Sequence, residues 1–180
     1  MHSTLSKAFP VFLALMVAGA SAAAHAEDGC LDFKWDVSKE RALFAGSPAV
    51  LKGGKDPVSA PTVIPNRLYT LRLAAQDQVA FSVSPAKKPS ASPAYAGLAT
   101  LKIAAPGSYR VSVDLPIWID VVSQATLVAA KDYQGQHACS APHKIVEFEL
   151  AGTQPFVLQF SNAAADSIML TVTASPARKL

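Results

Sequence analysis

The chain has 180 residues, sixteen Lys and Arg against thirteen Asp and Glu, a formal net charge of +3, two cysteines and a mean hydropathy of +0.25. The bases are scattered, with no basic stripe interleaved with aromatics, which argues against a nucleic-acid partner. A chain of this length makes one domain and buries about 70% of its unfolded surface, so its stability does not depend on metals or on many disulfides.

Residues 1–26 read as an export signal. Lys7 precedes an uncharged run from Phe9 to Ala20, and small residues crowd towards Ala24-His25-Ala26. Removing 26 residues from 180 leaves 154, with fifteen bases against thirteen acids, or +2. Glu27-Asp28-Gly29 before Cys30 puts carboxylates where a lipoprotein signal is apolar, so lipidation is not expected. No later stretch approaches the ~18 apolar residues of a membrane span, so no transmembrane segment is expected in the mature chain. The expected location is periplasmic or secreted.

Residues 27–66 read as an N-terminal wrapping segment. Asp36 to Ala45 suits a short helix with Val37, Arg41 and Phe44 on one side and Gly46 as its stop. Six prolines and glycines between residues 46 and 66 then predict extended chain. Trp35 is expected to pack near Cys30.

From residue 67 to 180 short runs alternate apolar and polar residues, each bounded by Gly, Pro, Asn, Asp or Ser. The apolar sets are Tyr69/Leu71/Leu73, Val79/Phe81/Val83, Ala99/Leu101/Ile103, Tyr109/Val111/Val113, Ile117/Ile119/Val121, a weaker run from Thr126 to Ala129, Val146/Phe148/Leu150, Phe156/Leu158/Phe160 and Ile168/Leu170/Val172. A period of two places one side-chain set on each sheet face, and three or four residues between runs is hairpin spacing. About nine strands of this kind predict an all-β fold, an antiparallel, jelly-roll-like β-sandwich. Residues 84–95, with three prolines, two lysines and three serines, read as a solvated loop open to proteolysis.

Four features could carry chemistry. In an oxidising compartment Cys30 and Cys139 form a disulfide, which the chain-entropy model values at about 4–5 kcal/mol; the alternative is a free thiol at Cys139. His137 and His143 flank that cysteine, and with Asp132 or Glu147 they could hold copper or zinc; otherwise they are two imidazoles on a surface loop. Trp118 and Asp120 share a sheet face opposite Ile117 and Ile119, where an aromatic ring beside a carboxylate could stack on a sugar and bond its hydroxyls. The plainer alternative is that Trp118 covers a sheet edge while Asp120 caps a turn. Glu147 and Glu149 are i, i+2 strand neighbours, expected to face solvent rather than to form a glycosidase pair. No Gly-x-Ser-x-Gly elbow, phosphate-cradling loop or dinucleotide fingerprint occurs. An enzyme is therefore not expected, and no cofactor is implied.

The segments Gly107-Ser-Tyr-Arg-Val-Ser-Val113, Trp118-Ile-Asp-Val-Val122, Phe148-Glu-Leu-Ala-Gly152 and Phe156-Val-Leu-Gln-Phe160 resemble bacterial pre-peptidase C-terminal domains across residues 96 to 173. That resemblance implies a jelly-roll accessory module that binds rather than catalyses. The acidic calcium-binding clusters of some relatives are missing from the sequence. Cys30-Leu-Asp-Phe-Lys-Trp-Asp-Val37 and Gln134-Gly-Gln-His-Ala-Cys139 also resemble small exported proteobacterial proteins of uncharacterised role, some of which carry a homogentisate dioxygenase label. An oxygenase of that type needs two histidines and a carboxylate around an open iron, in a far longer body, and these residues do not support it. The expected function is a non-catalytic binding or accessory protein whose partner is a small ligand, a glycan or an envelope protein. A metal-binding protein using His137 and His143 is the alternative.

Overall fold

The structure is a computed structural model and describes residues 28–90 and 92–176; the expected export signal lies outside the described residues. After a 3-10 turn at Asp28–Asp32 comes α1 (Ser38–Phe44). The strands are β1 (Ala49–Lys52), β2 (Thr62–Val63), β3 (Tyr69–Arg72), β4 (Ala74–Ala75), β5 (Tyr95–Leu101), β6 (Gly107–Val113), β7 (Trp118–Ser123), β8 (Thr126–Val128), β9 (Ala130–Gly135), β10 (Lys144–Leu150), β11 (Phe156–Ala163) and β12 (Ser167–Ala174).

These strands form two facing sheets. The first runs β1-β3-β12-β6-β10-β9 and the second β2-β5-β11-β7-β8, with β4 beside β5. Omitting β1, β2, β4 and β9 leaves β3-β12-β6-β10 over β5-β11-β7-β8, which is the interleaved order of an eight-stranded jelly roll. The expected sandwich is therefore present. Its sheets are mixed rather than wholly antiparallel, because β1 lies parallel to β3 and β2 parallel to β5. Both parallel strands come from residues 27–66, so this segment joins the sheets as well as wrapping them.

The core lies between the sheets. Leu71, Val111, Phe148 and Leu170 from the first meet Leu101, Leu158, Phe160 and Ile119 from the second. Phe148, Phe156 and Phe160 are fully buried, and burying such a side chain stabilises by about 1.5–3 kcal/mol. Gly107 enters β6 at φ +151°, a conformation that side chains rarely adopt. Between β7 and β8, Gln124 and Ala125 both take positive φ (48° and 58°) in a two-residue hairpin.

The outer faces are covered too. Over the first sheet, Cys30, Phe33, Val37 and Trp35 pack on Cys139 and Ile145, and Cys30 is bonded to Cys139 across 109 residues. The helix begins where Asp36 Oδ1 accepts from Ser38 N (2.9 Å) and ends as Gly46 N bonds Leu43 O (3.0 Å). Its buried positions are Glu40 and Phe44 rather than the expected Arg41. The reason is Arg110, whose guanidinium lies beneath the helix 3.8 Å from the Glu40 carboxylate.

Over the second sheet, Val79 and Phe81 pack on Ala96, Leu98 and Val157 instead of forming the expected strand. The chain then continues as a largely exposed strap that hydrogen bonds fasten to the sheet. Gln159 accepts from Val83 N (3.3 Å) and donates to Val83 O (3.0 Å). Asp120 accepts from Ala86 N (3.2 Å), and Asn162 accepts from Ser90 N (2.7 Å).

Candidate functional site

The strap, the start of β7, the edge strand β9 and the loop from β9 to β10 meet at one end of the sandwich. Because β7 alternates, Ile119 and Val121 enter the core while Trp118 and Asp120 face the strap. The Trp118 indole N–H donates to Asp120 Oδ1 (2.9 Å), and Oδ2 receives the Ala86 amide. Asp120 is 7% exposed, so it is not the free sugar-bonding carboxylate expected beside Trp118. Burial pushes its carboxyl above the ordinary range, against the pull of Ala86, Trp118 and Lys144.

By holding Ala86, Asp120 also brings Lys87 across the indole, its ammonium 5.6 Å from the ring centroid. Lys144, at the start of β10, lies 5.1 Å from the same centroid and donates to Ile117 O (2.7 Å). Burial lowers the Lys144 ammonium from its usual range, and the charge of Lys87 lowers it further. Two like charges therefore share one aromatic ring.

The imidazoles of His137 and His143 stand 5.4 Å apart between centroids in an edge-to-face arrangement. The loop that carries them is closed by Gln136 N to His143 O (2.9 Å) and Cys139 N to Gln136 O (3.2 Å), and is fastened by the disulfide. Burial lowers His143, and neighbouring His137 adds to that effect. Among the described residues no group of three His, Cys, Asp or Glu is placed to hold a metal. Glu147, a considered third ligand, accepts from Arg110 Nε (3.3 Å) and Ser175 Oγ (2.8 Å); Asp132 accepts from Tyr133 N (2.8 Å).

Trp118, His137 and His143 line a single cleft of about 340 Å³ together with Lys87, Lys144 and Tyr133. Two features separated in sequence are thus brought together. A second hollow of about 180 Å³ adjoins it, walled by Ile119, Ala130 and Val146 beside Trp118 and Tyr133. A larger hollow of about 710 Å³ opens against Val79, Phe81 and Pro85, with Lys87 on its rim; it gathers none of the aromatic or imidazole candidates. Sequence reading missed Lys87, Lys144 and Tyr133 as site residues, and no local signal marks them, because their convergence is tertiary.

Glu147 and Glu149 are not the solvent-facing pair expected. Glu147 is 5% exposed, since it sits opposite Arg110 in the β6–β10 register under the N-terminal segment. Arg110 also donates to Asp36 O (3.0 Å) and stacks 4.6 Å from the Trp35 centroid. Glu149 is bonded by Ser108 and by Lys131 (3.2 Å), which hold its carboxyl below the ordinary range. Arg110 and Lys131 thus engage both carboxylates in ion pairs. No protein-family model and no curated protein matches the chain.

Proposed function

We propose that the chain is an exported, non-catalytic β-sandwich protein that binds a small ligand or glycan in the cleft beside Trp118. The single observation carrying this reading is the meeting of Trp118, Tyr133 and two imidazoles in a cleft of about 340 Å³, a size suited to a small molecule. Export is supported by the signal-like residues 1–26 and by a disulfide typical of oxidising compartments. A non-catalytic role is supported by Cys139, the nucleophile nearest the imidazoles in sequence, being spent in that disulfide. The accessory role implied by the resemblance to pre-peptidase C-terminal domains is of the same kind. The oxygenase label gains nothing, since the two imidazoles have no carboxylate completing a ligand set among the described residues.

Calorimetric titration with periplasmic glycans and their monosaccharides tests the reading. Binding that disappears in Trp118→Ala at an unchanged melting temperature is the expected result. Turnover of a substrate by the pure protein, lost on changing a single residue, refutes it. The 5.4 Å approach of His137 to His143 favours a second reading, a zinc or copper site. Metal titration of wild type and His143→Ala separates the two, and unchanged heats between them remove the metal reading.

A further inference from the structure

The polar groups around the cleft are unbalanced in one direction. Lys87 and Lys144 both lie within 5.6 Å of the Trp118 centroid, and no Asp or Glu is among the described residues lining the cleft. The carboxylate behind them, Asp120, spends one oxygen on the Trp118 N–H and the other on the Ala86 N–H.

The surplus charge at the cleft is therefore positive, with no carboxylate lining it to answer the two ammonium groups.

The other wall is made for a body rather than a charge. Tyr133 is 70% exposed at the mouth, and the adjoining apolar hollow extends the aromatic surface. The imidazoles of His137 and His143 supply partners for hydroxyl groups. Resting on the binding role proposed for this cleft, we infer that its ligand is an acidic saccharide, with its oxyanion held by Lys87 and Lys144 and its ring against Trp118 and Tyr133. A divalent cation is disfavoured in the same place, because the two ammonium groups repel it.

The oxyanion is a uronate carboxylate or a sugar phosphate, and titration with glucuronate, glucose 6-phosphate, glucose and inorganic phosphate distinguishes these sources. One of the two acidic sugars binds at least about tenfold tighter than glucose, as expected for a charge-assisted contact. Its affinity falls as salt rises. Lys87→Ala loses about tenfold and Lys87→Arg restores most of it; Lys87 lies on the exposed strap, so neither change endangers the fold.

Glucose binding as tightly as both acidic sugars, with loss in Trp118→Ala, overturns the acidic ligand while leaving the binding role intact. Inorganic phosphate matching glucose 6-phosphate overturns the role of the ring. Affinity indifferent to Lys87 overturns the assignment of the oxyanion. No binding by any of the sugars removes both this inference and the saccharide form of the role beneath it.

Discussion

Gln159→Leu isolates what holds the strap on the second sheet. The wild-type amide is completely buried and grips one residue twice, accepting from Val83 N at 3.3 Å and donating to Val83 O at 3.0 Å. Leucine preserves most of the volume and removes both bonds. Each is worth about 0.5–1.5 kcal/mol net, so strap opening becomes easier by about 2 kcal/mol, or roughly 30-fold. The stranded Val83 groups regain water only when the strap lifts, which pushes in the same direction.

Trypsin reads that equilibrium directly. The strap carries the bond after Lys87, while the bond after Lys88 is protected by Pro89. When opening and closing are fast relative to cleavage, the cleavage rate follows the open population. The expected outcome is cleavage after Lys87 about 30 times faster in Gln159→Leu, with the rest of the sandwich persisting as a protected fragment identified by mass spectrometry. An unchanged rate would mean that the strap is held by Val79, Phe81 and its bonds to Asp120 and Asn162, and that the amide clamp contributes nothing to local opening.

Three further outcomes follow from the same structure. Arg110→Met strands Glu40 and Glu147 beneath the N-terminal segment and costs about 3–5 kcal/mol, lowering the melting temperature by roughly 6–20 °C; a melting temperature equal to wild type would show that the network carries no net energy. Asp114 has its carboxyl pushed up by burial, against the Met169 amide and His143, so its ionised form opposes folding. As pH falls from neutral through that raised pKa towards 3.8, wild type therefore gains stability relative to Asp114→Asn, and urea midpoints at several pH values that move in parallel would contradict this. In the β7–β8 hairpin, Gln124→Asn with Ala125→Gly relieves two left-handed residues and raises the unfolding free energy by about 1 kcal/mol, with no gain in chemical denaturation speaking against a strained turn.

Alternation made the core legible. Wherever one face of a run meets the opposite sheet, as at Tyr109/Val111/Val113 or Phe156/Leu158/Phe160, the period of two reports a strand. It fails at Val79 and Phe81, because a strap pressed on one side against a sheet shows the same spacing without any ladder partner. It is also silent at β1 and β9, short exposed edges with little apolar contrast.

The polar faces misled for a different reason. Glu147 reads as a solvated position, yet a second layer of chain covers it together with Arg110, Thr171 and Thr173, and Arg110 answers its charge. The cleft was legible in pieces, since Trp118, Asp120, His137 and His143 stand out by residue type. Their neighbours Lys87 and Lys144 do not, because scattered lysines carry no spacing that reveals a shared aromatic ring.

Cys139 sits between His137 and His143, so the clasp that fastens the amino-terminal cover also stiffens the wall bearing both imidazoles. Sheets closed by hydrophobic burial need no oxidant, whereas this wall does. Reduction of the disulfide is therefore expected to loosen this wall while the packed sheets persist.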